Sequence, residues 1–222
     1  RACKSQAEKV FIATDNDKIE QSARQYTDNI VLTSENHQSG TDRLAEVVEK
    51  LAWNDETIVV NVQGDEPLIL AGHIQQVADL LDISPQADIS TLSYKIQSYA
   101  ELFDPNVVKV VSDMNGYALY FSRAAIPWNR DQFNGLSTLK EKIVEKDSHY
   151  FRHIGMYAYR AKFLKKYQSL FPAQIEQTES LEQLRALYYG FKIVVGETDK
   201  QPGHGVDVQA DLERVEQLLS RN

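Results

Sequence analysis

The feature that most constrains this chain is an apolar run that ends abruptly in acidic residues. Residues 58–62 (IVVNV) are mostly β-branched, which is typical of a strand buried on both faces of a sheet. Pro67 cannot extend a strand, so Asp65 falls at the strand's carboxyl edge. Ligands bind at that edge in open parallel sheets, and a carboxylate there can hold a hard cation against a phosphate. Residues 64–67 also form turns readily, so a plain turn without function is an equal alternative.

The pattern around this run alternates strands with helices. Apolar runs predict strands over 9–15, 29–32 and 57–62, and helical spacing predicts helices over 17–26, 41–51 and 73–81, with Thr41 as a cap. We therefore expect an α/β fold whose first third is wound like a parallel sheet.

The middle of the chain changes character. Residues 88–95 alternate polar and apolar, and residues 107–111 and 117–121 flank Asp-Met-Asn-Gly, a strong hairpin signal. Antiparallel strands are therefore expected here. Further elements are predicted along the rest of the chain: a polar, mobile excursion over 129–147, strands over 150–160 and 192–195, helices over 161–168 and 180–189, and a last helix after the loop 202–207.

Composition excludes several classes of protein. The formal net charge of −8 disfavours binding to nucleic acid or to an anionic membrane, because both need a basic surface. No apolar run approaches the ~20 residues that cross a bilayer. The single cysteine, Cys3, cannot form an internal disulfide and has no partners at zinc-ligand spacing, so a reducing cytoplasm is the simplest location.

Two carboxylates and one loop are candidates for phosphate chemistry. Asp65 and Asp207 both follow predicted strands, and Mg²⁺ sites often use one or two carboxylates completed by substrate phosphates. From the residues alone, Asp207 is better explained as the cap of the last helix. Ser39, Gly40 and Arg43 stand at a helix start, which suits an anion or nucleotide but is also ordinary capping chemistry.

A second group of candidates lies later in the chain. His153 and Tyr157 share one face of a predicted strand and can converge on one pocket, whereas Arg152 points to the other face. Glu182 stands at a predicted helix start, but with Arg185 it could form nothing more than a solvated ion pair.

Taken together, these residues lie in segments that resemble one known family, the 3-deoxy-manno-octulosonate cytidylyltransferases, or CMP-Kdo synthetases. The matching segments are IATD (12–15), HQSGTDRLAEVVEK (37–50), VNVQGDEP (60–67), VVKVV (107–111), ALYFSRAAIPW (118–128), FRHIGMYAYR (151–160), SLEQLRALYYG (180–190) and PGHGVD (202–207). They occur in the family's order and cover nearly the whole chain, which is far more specific than any single motif.

The resemblance implies a fold and a reaction. The fold would be a Rossmann-like mixed sheet of the nucleotide-diphospho-sugar transferase type, forming a single nucleotidyltransferase domain over residues 1–222. Residues 88–160 would contribute a smaller antiparallel lobe for sugar binding and homodimerisation. The reaction would be Mg²⁺-dependent transfer of CMP from CTP to 3-deoxy-manno-octulosonate (Kdo) for lipopolysaccharide biosynthesis. A related acidic sugar, such as 8-amino-Kdo or a sialic acid, and a non-catalytic fragment are the alternatives.

The resemblance also implies a role for each candidate residue. Asp65 and Asp207 would hold the metal, and Ser39, Gly40 and Arg43 would contact CTP. The sugar pocket would be lined by Gln63, Arg123, His153, Tyr157, Glu182 and Gln183.

The chain departs from the family at its start. Family members begin with a strand and a loop resembling PARxxSxRLPGKPL, and no such loop occurs here. We therefore expect on the order of 30 residues, the size of a strand-loop-helix unit, to precede Arg1 in the full protein. Since that loop would supply the main triphosphate-binding cations, the chain as printed is expected to be a weak or inactive catalyst.

Overall fold

The computed structural model describes residues 2–37, 39–133, 149–201, 203, 206 and 208–220. A 3₁₀ turn at Ala2–Lys4 comes first. The strands are β1 (Ile12–Thr14), β2 (Ile30–Leu32), β3 (Ile58–Asn61), β4 (Ile89–Lys95), β5 (Lys109–Ser112), β6 (Ala118–Ser122), β7 (Phe151–Arg160) and β8 (Ile193–Thr198). The helices are α1 (Asp17–Ala23), α2 (Gly40–Lys50), α3 (Ala71–Asp82), α4 (Tyr99–Leu102), α5 (Ala161–Tyr167), α6 (Gln174–Glu179), α7 (Gln183–Tyr188) and α8 (Gln209–Ser220).

The main sheet is mixed and mostly antiparallel. Its strands follow the order β6-β5-β7-β4-β8, and β3 also pairs with β7. The long strand β7 runs antiparallel to β3, β4 and β5, whereas β4 and β8 are parallel. The expected hairpin is confirmed as β5–β6, with Gly116 in the left-handed region at φ 81°.

The parallel winding expected for the first third is only partly found. β1 and β2 are parallel, but they form a separate two-stranded sheet, and the partner of β3 within the described ranges is the antiparallel strand β7. Local periodicity sets the strands but not their partners, because pairing depends on segments far apart in sequence. The fold class itself, an α/β protein with a mixed sheet, is confirmed.

Helices cover both faces of the main sheet. Alternate strand residues enter two cores: Val59 and Tyr159 pack with Phe163 of α5, whereas Val60 and Ala158 pack with Val77 of α3. This alternation is the ordinary consequence of the two-residue repeat of a strand. None of the helices in the part of the chain that the structure describes is long and apolar enough to cross a membrane.

The helix predicted over 180–189 begins later than expected. Ser180 adopts a left-handed conformation with φ 53°, which ends α6 and separates it from α7. The short helix α6 was not predicted, because its six residues (QIEQTE) show no apolar periodicity. Most of the excursion predicted over 129–147 lies outside the described residues.

A bulge in β7 shapes the centre of the sheet. Thr91 of β4 opposes Tyr157, but the next residue, Leu92, opposes Ile154, so β7 carries two additional residues, Gly155 and Met156. Since the insertion is even, His153 and Tyr157 remain on the same face of the strand.

Candidate active site

A cavity of about 310 Å³ lies between α2, β3, β7 and the start of α7. Six of the residues predicted from the sequence line it: Gly40, Gln63, His153, Tyr157, Glu182 and Gln183. A smaller adjoining cavity of about 120 Å³ shares Gln63 and His153 with it. Chain segments more than 140 positions apart thus converge on one concave surface of a size that suits a small ligand.

The start of α2 presents backbone to this cavity. The helix cap is Ser39, whose Oγ accepts the Asp42 amide at 3.1 Å, and not Thr41 as the sequence suggested. The correction follows from geometry, because Thr41 already lies inside the helix and its hydroxyl donates to the Glu182 carboxylate at 3.3 Å. Gly40 therefore stands in the first turn, at the wall of the cavity.

The side chains of β7 that face the cavity are uncharged. Burial lowers the pKa of His153 to about 3, and the nearby Arg152 contributes, so the imidazole is neutral at pH 7. Burial also raises the pKa of Tyr157. The two rings lie together, with 5.2 Å between their centroids, as the shared strand face predicted.

Glu182 supplies a carboxyl group at the same cavity. Desolvation raises the pKa of this residue and the nearby Asp42 adds to the rise, while the hydrogen bond from Thr41 opposes it. The solvated ion pair with Arg185, which the sequence left open as the alternative for Glu182, is not formed. Arg185 instead makes two hydrogen bonds to Glu176, at 2.8 and 2.6 Å, and its guanidinium lies over the ring of Tyr167.

Comparisons with known proteins agree with this arrangement. The profile of the family described as cytidylyltransferase matches residues 1–193. The 3-deoxy-manno-octulosonate cytidylyltransferase of Halorhodospira halophila is 50% identical over 99% of this chain and 84% of its own length. The chain belongs to the 3-deoxy-manno-octulosonate cytidylyltransferase family. The Pseudomonas fluorescens (strain SBW25) member is 51% identical over 99% of the chain and 85% of its own length.

A solved structure supports the same assignment at the level of fold. It is the structure of a CMP:2-keto-3-deoxy-manno-octonic acid synthetase complexed with CTP. The two superpose with a TM-score of 0.85 at 36% identity, covering 99% of this chain and 84% of that protein. The family resemblance deduced from the sequence segments is therefore confirmed over almost the entire chain.

Two arginines that were predicted to contact the ligand form hydrogen bonds with other groups of the protein. Arg43 donates hydrogen bonds to Asp15 and Thr33. The hydrogen bond from Arg43 lowers the pKa of Asp15, although desolvation partly opposes this shift. Arg123 donates to the carbonyl oxygens of Glu179 at 2.7 Å and Pro105 at 3.0 Å. Neither guanidinium lines the large cavity in the structure, and the roles of both arginines stay predictions.

Of the two predicted metal residues, the structure describes only Asp65, which does not itself line either cavity. Asp65 is exposed, and its backbone carbonyl accepts the amide of Val206 at 2.8 Å. Asp207 lies outside the described residues. Among the residues that are described, no group of three or more His, Cys, Asp or Glu forms a metal site. A magnesium ion needs fewer, because substrate phosphates and water complete its shell.

Sequence reasoning missed the inner wall of the cavity. Tyr159, Phe163 and Tyr167 line it, and the Tyr167 hydroxyl is buried without a hydrogen-bond partner in the described part of the chain. Burial raises the pKa of Tyr167. The spacing of Phe163 and Tyr167, one helical turn apart, is a signal that could have placed both on the cavity side of α5.

Proposed function

We propose that this protein transfers CMP from CTP to Kdo, giving CMP-Kdo and pyrophosphate. The observation that carries the proposal is the similarity to relatives of that activity over 99% of the chain at about half identity. The sugar's anomeric hydroxyl would attack the α-phosphate of CTP. A new oxygen–phosphorus bond forms, the bond to the β-phosphate breaks with release of pyrophosphate, and the hydroxyl proton is lost.

The cavity suits the sugar acid. Its lining is rich in amide, hydroxyl and imidazole groups, which can hydrogen-bond a polyhydroxylated ligand, and it also holds the carboxyl groups of Glu66 and Glu182. Gln63 and Gln183 each offer a donor and an acceptor, while the Glu182 carboxylate would accept sugar hydroxyls. These residues would orient the nucleophile toward the nucleotide, and positioning is a large part of catalysis in phosphoryl-type transfers.

We also propose that the reaction depends on Mg²⁺ held by Asp65 and Asp207. The Val206 amide bonded to Asp65 supports this, since it joins the loop before α8 to the end of β3. When bound, the ion would neutralise charge on the CTP phosphates. Ser39, Gly40 and Arg43 would contact the cytidine.

Three further attributes belong to the same proposal. The product would feed lipopolysaccharide biosynthesis, the location would be the reducing cytoplasm, where the single cysteine stays a thiol, and the protein would act as a homodimer through residues 88–160. Exposed apolar side chains in that range, Leu119 and Trp128, support the dimer.

The test is a comparison of sugar acceptors with the full-length encoded protein. Pyrophosphate release is measured with CTP, Mg²⁺ and one of three sugars: Kdo, 8-amino-Kdo or N-acetylneuraminic acid. We expect Kdo to give the highest kcat/KM and ³¹P NMR to show a CMP phosphodiester as product. Higher kcat/KM with either other sugar would transfer the assignment to that sugar, and no release with any of them would refute the proposal.

A further inference from the structure

Thr91 is a buried residue of β4 that contacts His153 from behind the cavity. Its side chain is fully buried, with 0% of its surface exposed. Its Oγ1 lies 2.9 Å from His153 Nε2, 2.7 Å from the carbonyl oxygen of Met156 and 3.1 Å from that of Ile154. One hydroxyl group thus meets three polar atoms of β7.

The count of hydrogens decides which atom donates to which. A threonine hydroxyl carries one hydrogen, and the two carbonyl oxygens can only accept. At 2.7 Å the contact with the Met156 oxygen requires a hydrogen between the two oxygens, so the Thr91 hydrogen is used there. The contact with the ring can then be a hydrogen bond only if His153 Nε2 carries a proton and donates it to Thr91.

The bulge in β7 makes this arrangement possible. Because Gly155 and Met156 have no partners opposite them on β4, the backbone bends there, and the Ile154 and Met156 carbonyls both reach Thr91. Two acceptors for one hydroxyl hydrogen leave no way for Thr91 to donate to the ring.

The state of the second ring nitrogen follows. Burial lowers the pKa of His153 to about 3, so the ring carries a single proton at neutral pH. With that proton on Nε2, Nδ1 is an acceptor. His153 lines both cavities, so its free acceptor suits a ligand group that donates, such as a sugar hydroxyl.

We propose that Thr91 is a positioning residue that fixes His153 in the Nε2-protonated tautomer, so that Nδ1 accepts a hydroxyl group of the sugar substrate. The substrate part rests on the proposed function, whereas the tautomer part stands on the protein alone. Thr91 itself does not touch the substrate.

The first test reads the tautomer without substrate. Long-range ¹H–¹⁵N NMR spectra distinguish protonated from unprotonated ring nitrogens, and the His153 signals are assigned by their loss in His153→Gln. We expect a proton on Nε2 alone in the wild type and in Thr91→Ser, which keeps the hydroxyl, and a mixture of tautomers in Thr91→Val. A proton on Nδ1 in the wild type would overturn the proposal, whether or not Thr91→Val folds.

The second test reads the substrate side. Thr91→Val should raise the KM for Kdo about tenfold and leave the KM for CTP nearly unchanged, while Thr91→Ser stays near wild type. In the His153→Gln background, Thr91→Val should cause no further rise in the KM for Kdo, because its effect is exerted through the imidazole ring. A further rise of about tenfold in the KM for Kdo in that double variant would contradict the proposal. A Thr91→Ser variant as impaired as Thr91→Val would also contradict it. Absence of turnover on Kdo in the wild type would refute the function but leave the NMR result standing.

Discussion

Asp65 is exposed at the end of β3, so its carboxylate can be changed with little risk to the fold. If it holds Mg²⁺, Asp65→Asn should lower kcat by about 100-fold or more, because a metal ion contributes several kcal/mol to the stabilisation of a charged transition state. The melting temperature should stay within about 2 °C of the wild-type value.

The matched control is Asp82→Asn, which removes an exposed carboxylate at the far end of α3. Steady-state kinetics and thermal melts on both variants distinguish a metal-binding role of Asp65 from a structural one. A large fall in melting temperature with proportionate loss of activity would mean that Asp65 is structural.

Glu182 is the residue at which pH should act on substrate binding. Desolvation raises its pKa, so it takes up a proton at a higher pH than an ordinary glutamate. If the ionised form accepts sugar hydroxyls as proposed, the KM for Kdo should rise as the pH falls through this raised pKa. In Glu182→Gln that pH dependence should disappear. The KM for Kdo is measured against pH for the wild type, for Glu182→Gln and for Glu197→Gln, an exposed control on β8. The same pH dependence in all three proteins would refute this role.

At the scale of elements, Glu46 of α2 joins the helix to the loop that precedes it. Burial alone would raise its pKa, but hydrogen bonds from Lys50, the Ser34 amide and His37 outweigh burial and lower the pKa to about 2. A depressed carboxylate pKa stabilises the folded protein above the unfolded-state value and loses that effect as the pH falls toward 2.

Glu46→Gln should therefore lower the free energy of unfolding by about 1–2 kcal/mol at pH 7, because solvent screens part of these interactions. The difference from wild type should shrink once the pH falls below about 4.5. Urea unfolding from pH 7 downward measures it, with the exposed Glu49→Gln on the same helix as control. A pH-independent difference would show that Glu46 acts through packing and not through its charge.

Periodic elements could be predicted from the sequence, and their partners could not. The strand over 150–160 and the helix over 161–168 were found almost residue for residue, because both have strong local patterns. The pairing of Arg185 with Glu176 was not predicted, because it depends on the left-handed backbone conformation of Ser180, which no local sequence pattern indicates. Thr91 was missed for a similar reason, because a buried threonine in a strand is indistinguishable from core packing until its partners are known.

At the scale of the whole molecule, the family resemblance predicted more than periodicity did. It selected Gly40 for the nucleotide and Gln63, Tyr157 and Glu182 for the sugar, and these residues, which come from four separate elements or loops, line one cavity. It could not show that Arg43 and Arg123 are engaged by protein groups, because a motif carries no information about which neighbours satisfy its side chains.

The proposed homodimer is a prediction at the same scale. Leu119 on β6 is 63% exposed and Trp128 is 57% exposed, and burial of such side chains is a favourable term in association. Light scattering after size-exclusion chromatography should give twice the chain mass, and Leu119→Asp should shift the protein toward monomer. Phe171→Asp, at an exposed apolar residue outside 88–160, is the surface control. A monomeric wild type at micromolar concentration would refute the dimer.

The central claim is that the cavity between α2, β3, β7 and α7 holds the sugar acid during CMP transfer, and Gln63→Ala tests it most directly. Gln63 lines the cavity but is exposed, so its loss should not disturb folding. The account predicts about a tenfold rise in the KM for Kdo, with the KM for CTP and the melting temperature close to those of wild type and of the exposed control Gln177→Ala. An unchanged KM for Kdo, or a rise in the KM for CTP instead, would contradict it.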